Sequence, residues 1–187
     1  MRRAASLILA ALLAAPAASA QATVGARLGA LYAAPIDPDP GISGRAGLGL
    51  VAFAERPVGR VVLGGEVGVL QGGFRQEVAG PDSGQPSTLR ARVTVSTFAA
   101  AAALPLGRVE LFAGPRLDVR LSESGTLDGQ TGRLTEYDDA MLGLAAGAGV
   151  RAPVGPTTLR VDVRVSRMRV TSARSELHTE LRAGLTL

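Results

Sequence analysis

The chain has no cysteine, a single histidine and only 3% aromatic residues. Lysine is also missing: every basic side chain is an arginine. Each shortage excludes something. Without cysteine there is no disulfide framework, so a small exported domain must be stabilised in another way. Without lysine, a small excess of guanidinium groups that do not titrate in the ordinary range raises the pI to 10.8. That value therefore does not mark a nucleic-acid binder. Eighteen arginines beyond Arg2 and Arg3 face sixteen acids, and the two signs interleave. Such charge is solvated or internally paired, not a phosphate track. Long hydrophobic runs are missing after residue 20. The longest, Phe98 to Leu106, is far shorter than the about 20 residues of a spanning helix. A closed barrel, however, also satisfies its backbone hydrogen bonds in lipid. The scarcity of aromatics counts against a membrane barrel, since such barrels usually carry aromatic girdles.

Residues 1–20 read as a secretory signal peptide. Arg2 and Arg3 form the basic region, Leu7 to Ala15 the apolar region, and Ala18-Ser19-Ala20 the cleavage site, with cleavage expected before Gln21. The apolar stretch is short for an anchor, and Pro16 follows it. Residues 21–187 then make one domain.

What the domain has in abundance is alternation. In Thr158 to Ser166, Leu159, Val161, Val163 and Val165 share one face of a strand, while Arg160, Asp162 and Arg164 share the other. Stretches of the same design predict eight strands, at about 22–32, 45–54, 60–74, 88–104, 108–122, 140–152, 158–166 and 176–187. Ala99 to Ala103 has helical propensity, but five residues before a proline make a poor helix, so strand is expected there too. The connections alternate in length. Short ones lie near 56–59, 105–107 and 153–156, and longer ones near 33–41, 75–87, 123–139 and 167–175. In an antiparallel meander this puts all short turns at one end, the asymmetry of an outer-membrane barrel.

The predicted fold class is all-β: an eight-stranded antiparallel up-and-down transmembrane β-barrel after a cleaved signal peptide. Its inward face gathers Arg27, Glu66, Arg90, Arg92, Glu110, Arg116, Asp118, Arg120, Arg160, Asp162, Arg164, Glu180 and Arg182. A barrel this narrow is filled by side chains, and a mixed-sign charge network with intervening glycines is one way to fill it. Leu, Val and Ala form the outward face. The opposite arrangement, apolar inside and charged outside, would make a soluble periplasmic barrel that binds a small apolar ligand, as lipocalins do.

Four stretches resemble the PorT-like outer-membrane β-barrel domain, the porin-family small barrels of Bacteroidetes-type bacteria. They are Leu63-Gly64-Gly65-Glu66-Val67-Gly68-Val69-Leu70-Gln71-Gly72-Gly73-Phe74, Leu111-Phe112-Ala113-Gly114-Pro115-Arg116-Leu117, Leu142 to Val150, and Leu159 to Arg164. The resemblance implies an outer-membrane barrel with no catalytic residues to transfer. The sequence departs from such barrels in ending at Leu187 and not at an aromatic, and in the alanine-rich Ala99 to Leu104.

Three further motifs have plainer explanations. Gly147-Ala148-Gly149-Val150-Arg151-Ala152 imitates a dinucleotide fingerprint, but Pro153 and Gly155 follow where a helix should open. His178 lies near Ser175 and Glu176. Neighbours i and i+1 point to opposite faces of a strand, so Glu176 is the better-placed partner, and a polar rim histidine is expected in place of a hydrolase triad. Asp37, Asp39, Glu136, Asp138 and Asp139 are loop acids without Ca²⁺-loop spacing. No catalysis, cofactor or metal is expected. The expected role is structural, porin-like or surface-interacting. The expected partners of this monomer are outer-membrane lipid and, during biogenesis, the barrel-assembly machinery, with no nucleic acid.

Overall fold

The computed structural model describes residues 22–35, 42–79, 86–127, 130–132, 138–170 and 175–186. Residues 1–20, expected to be a leader, and Asp37, Asp39, Glu136 and Leu187 lie outside these residues. Ten β-segments follow one another: β1 (Thr23–Pro35), β2 (Ile42–Val58), β3 (Val61–Gly72), β4 (Phe74–Ala79), β5 (Pro86–Leu106), β6 (Val109–Leu127), β7 (Gln130–Gly132), β8 (Ala140–Val154), β9 (Thr157–Arg169) and β10 (Ser175–Thr186). β3 and β4 form a single stave interrupted at Gly73, and β7 is a short return against the end of β6. Every pairing is antiparallel between neighbours in this order, and β1 pairs with β10 from Gly25↔Thr186 to Pro35↔Glu176. The ring of eight staves is therefore closed, without a free edge.

Tight turns join β2 to β3, β5 to β6 and β8 to β9. Gly59, Gly107 and Gly155 lead them with φ of 63°, 70° and 61°. A two-residue hairpin needs that left-handed conformation at its first position to match the twist of its strands. All three turns lie at one end of the ring. The staves run further than the alternation suggested. Glu55 to Val58, expected in a turn, continue β2, and β6 continues to Leu127 through what was expected to be loop. β9 likewise reaches Arg169.

Two layers fill the interior. Toward the turn end it is charged. Toward the long-connection end lies an apolar cluster of Leu31, Val51, Leu70, Phe74, Ala91, Val93, Val95, Met141, Met168 and Val170, with Glu176 and His178 buried beside it. This cap corrects one expected orientation. In β5 the buried side chains are Ala91, Val93 and Val95, so Arg90 and Arg92 are exposed on the outer face and are not lumen residues. The register of β5 against β6 shifts between Thr94 and Val95, and strand alternation on β5 runs on unbroken across it.

Candidate functional site: a charge-filled lumen beneath an apolar cap

Strand alternation places the lumen charges. On β9, Arg160, Asp162 and Arg164 point inward at every second residue, followed by Ser166 and Met168. On β10, Glu176, His178, Glu180 and Arg182 do the same. β6 contributes Glu110, Phe112, Arg116 and Asp118, β1 Arg27, and β3 Glu66. Arg27, Arg116 and Arg164 are each 1% exposed, and so are Glu110, Asp162 and Glu180. Two inward residues were missed by sequence reasoning, Glu55 on β2 and Arg151 on β8. Continuing the alternation Val51, Phe53, Glu55 and Gly147, Gly149, Arg151 would have found both. Six arginines (27, 116, 151, 160, 164, 182) thus face six acids (55, 66, 110, 118, 162, 180) in one network among the described residues, and Glu176, buried beside His178, is a seventh inward acid.

The pairing is dense. Glu66 is the hub. It accepts one hydrogen bond from Arg27 (2.9 Å), two from Arg164 (2.7 and 2.8 Å) and one from Arg182 (2.8 Å). Glu55 accepts from Arg27 (2.9 Å), Arg151 (2.8 Å) and Arg160. Arg116 makes a two-pronged contact with Asp118 (2.8 and 2.7 Å) and also reaches Ser166 and Glu180. Arg182 donates through Nε to Glu180 at 2.7 Å. Such forks match guanidinium to carboxylate geometry, which a lysine could not do. Arg151 and Arg160 stand directly opposite each other across β8 and β9. Like charges there would repel, but Glu55 and Glu110 each bridge both arginines.

Two phenylalanines shape the floor of this network. Phe53 pairs across strands with Gly25, and Phe112 with Gly147. Each ring covers the glycine opposite: a Cβ on Gly25 would lie 2.7 Å from Phe53, and one on Gly147 2.6 Å from Phe112. The rings in turn support arginines, Arg27 at 3.8 Å over Phe53 and Arg164 at 4.9 Å over Phe112.

Arg120 sits at the outer rim, partly exposed, paired with Glu123 (2.6 Å) and Asp139 (2.5 Å). Asp138 and Asp139 are exposed. His178 lies inside, its Nε2 3.2 Å from Glu176 Oε2, while Ser175 is on the opposite face of β10. Residues 147–152 are strand throughout. Among the described residues, no cluster of His, Asp and Glu is arranged to hold a metal. The lipocalin-like arrangement is not the one observed: the outer face carries Leu28, Leu48 and Leu144 at 68, 73 and 70% exposure.

An eight-stranded antiparallel ring, apolar outside and charged within, is the fold of small outer-membrane β-barrels. The crystal structure of Neisserial surface protein A (NspA) is similar, with a TM-score of 0.53 and 16% identity over 90% of this chain and 98% of that one. Ail, the attachment invasion locus protein of Yersinia pestis, solved with the heparin analogue sucrose octasulfate, gives a TM-score of 0.47 and 12% identity, covering 89% of this chain and 99% of that one. No family model and no curated protein matches the chain by sequence. The likeness is one of fold, to small outer-membrane barrels in general and not to PorT-like barrels in particular.

Proposed function

We propose that the chain is an outer-membrane β-barrel of a Gram-negative-type bacterium, exported through a leader cut before Gln21. In this reading it has no catalytic role and anchors its long-connection end at the cell surface as a structural or surface-interaction protein. The observation that carries the reading is the inversion of polarity. Leu, Val and Ala are exposed around the staves, while five arginines and seven acids are buried inside them among the described residues. In water such a chain would expose apolar surface continuously around its girth, which a soluble monomer does not tolerate. In lipid the same surface is matched. The buried lumen and its apolar cap speak against a diffusion pore and so against the porin-like role. Neisserial surface protein A is by its name a surface protein, and a surface role is proposed here too. The finer likeness to PorT-like barrels rests on Leu63 to Phe74 and Leu111 to Leu117. A closed ring without a free edge supports a monomer, with membrane lipid and the barrel-assembly machinery as partners.

The test is gel mobility of the mature chain refolded in detergent, boiled against unboiled, with far-ultraviolet circular dichroism alongside. A heat-modifiable band and a β signal that needs detergent are expected. A β fold soluble without detergent, with no mobility shift, would transfer the chain to the lipocalin-like reading.

A further inference from the structure

Three arginines stand together on the outer face of two neighbouring staves. Arg75 on β4 and Arg90 on β5 face each other directly in register, and Arg92 follows two residues along the same face of β5. All three are exposed. The lumen shows how this chain treats a cross-strand arginine pair: Arg151 and Arg160 are bridged by Glu55 and Glu110. No such bridge joins Arg75 and Arg90 among the described residues. Among the described residues, Arg75, Arg90 and Arg92 have no ion-pair partner. Ser124 and Thr126 lie opposite Arg92 and Arg90. Glu77, two residues beyond Arg75, is the acid of this face and leaves it a net positive charge.

Height along the stave says what meets this face. With staves tilted about 40°, each residue advances roughly 2.6 Å along the barrel axis. Outward-facing Leu104 and Arg92 are then separated by roughly 31 Å, more than the about 25 Å of a barrel's apolar band. Leu63 and Arg75 are as many residues apart on the neighbouring stave. The arginines therefore stand just above the hydrocarbon, at headgroup level, on the side away from the tight turns.

We propose that Arg75, Arg90 and Arg92 form a binding site for the phosphate-bearing headgroup of a lipid in the surrounding outer leaflet. The site rests on the outer-membrane reading and adds to it the chemistry of the lipid contacted. A phosphomonoester supplies the anion that the opposed arginines lack, and guanidinium forks fit its oxygens.

The probe is phosphatidic acid, added to the detergent-refolded barrel and read by native mass spectrometry as the ratio of singly lipid-bound to free protein. A basic side chain near a membrane phosphate contributes roughly five-fold in affinity, so three give about a hundredfold. The triple variant R75Q/R90Q/R92Q should lose about that factor, and R92Q alone roughly five-fold. Phosphatidylcholine should bind more weakly than phosphatidic acid to the wild type and equally to wild type and triple variant. Equal phosphatidic acid binding by wild type and triple variant overturns the proposal. So does an equal loss in R56Q, which removes an outward arginine at the turn end, and so does displacement by inorganic phosphate at matched ionic strength. The heat-modifiable band is scored first for each protein. If the wild type lacks it, the outer-membrane reading fails; if the band is present and binding is unchanged, only this site fails.

Discussion

Glu66 is the carboxylate on which the lumen turns, and its replacement by alanine should be among the most damaging single changes. Its two oxygens accept four hydrogen bonds from Arg27, Arg164 and Arg182, at 2.7 to 2.9 Å. Arg27 would retain Glu55, and Arg182 would retain Glu180. Arg164 would lose the acid that receives both of its forked hydrogen bonds. The network of paired charges would pass from six acids against six arginines to five against six. Removing one member of a buried pair and leaving its partner charged costs about 3–5 kcal/mol. At about 1.4 kcal/mol per decade, this is two to four decades in the unfolding equilibrium. The assay is urea unfolding of the barrel in vesicles, followed by the heat-modifiable band. Glu66→Gln, which keeps the shape and one good acceptor, should lose less than Glu66→Ala. Glu77→Ala, on the outer face, should stay within about 0.5 kcal/mol of wild type. A Glu66→Ala barrel within about 1 kcal/mol of wild type would falsify the picture of a dry, mutually compensated network, because only water or mobile ions in the lumen could then screen three guanidiniums so well.

Other consequences are simpler to state. Gly147→Val should cost about 1–3 kcal/mol in the same unfolding assay, because the added atoms enter the space of the Val163 carbonyl and of the Phe112 ring that supports Arg164; a neutral result would mean that neither lies against the glycine. In planar bilayers the folded chain should show no steady conductance, since the lumen residues of β9 from Arg160 through Asp162, Arg164 and Ser166 to Met168 are buried; discrete conductance steps on insertion would show an open lumen. The absence of cysteine makes labelling clean. In vesicles, Leu144→Cys should resist a water-soluble maleimide while Asp139→Cys reacts, and rapid reaction of both would place the girdle in water.

Most of the fold was legible because strand alternation survives whatever surrounds a barrel. Residues two apart share a face in lipid, in water and in a packed lumen alike. Arg160, Asp162 and Arg164 could therefore be grouped from spacing alone, as could Glu180 with Arg182. Periodicity does not say which face is inside. The assignment was made by polarity, charged residues in and apolar residues out, and it worked wherever the stave crosses the apolar band. It failed at Arg90 and Arg92, where the same rule points the wrong way. Stave ends were underestimated for a related reason. Glu55, Arg56 and Pro57 look like a turn because they are polar or ring-constrained, yet Pro57 sits near a hairpin end where strands tolerate it. Hydrogen-bond partners lay beyond sequence altogether, since which acid meets which arginine depends on stagger between staves far apart in the chain.

β9 shows that the failure follows a rule. Its inward residues read Arg160, Asp162, Arg164, Ser166, Met168, from charged to apolar, and its outward residues read Val161, Val163, Val165, Arg167, Arg169, from apolar to charged. No register shift interrupts its pairing with β8 or β10. Both faces change sign at about Ser166, and a soluble barrel has no reason to switch them together. A membrane barrel with a sealed lumen has a reason for each. The outer face must become polar where hydrocarbon ends and headgroups begin. The inner face of β9 becomes apolar where its arginines end: Glu176, opposite Met168, lies beside His178 and not beside a guanidinium of β9, and apolar packing fills the rest of the space without a further buried charge. β5 shows the outer change alone: Arg92 and Arg90 are exposed on the face that carries Leu104, Ala102 and Ala100 nearer the turn, while its buried residues, from Ala103 through Thr97 and Val95 to Ala91, are uncharged throughout. The outer faces of two staves thus turn from apolar to basic on the side away from the tight turns, as the end of a hydrocarbon band requires.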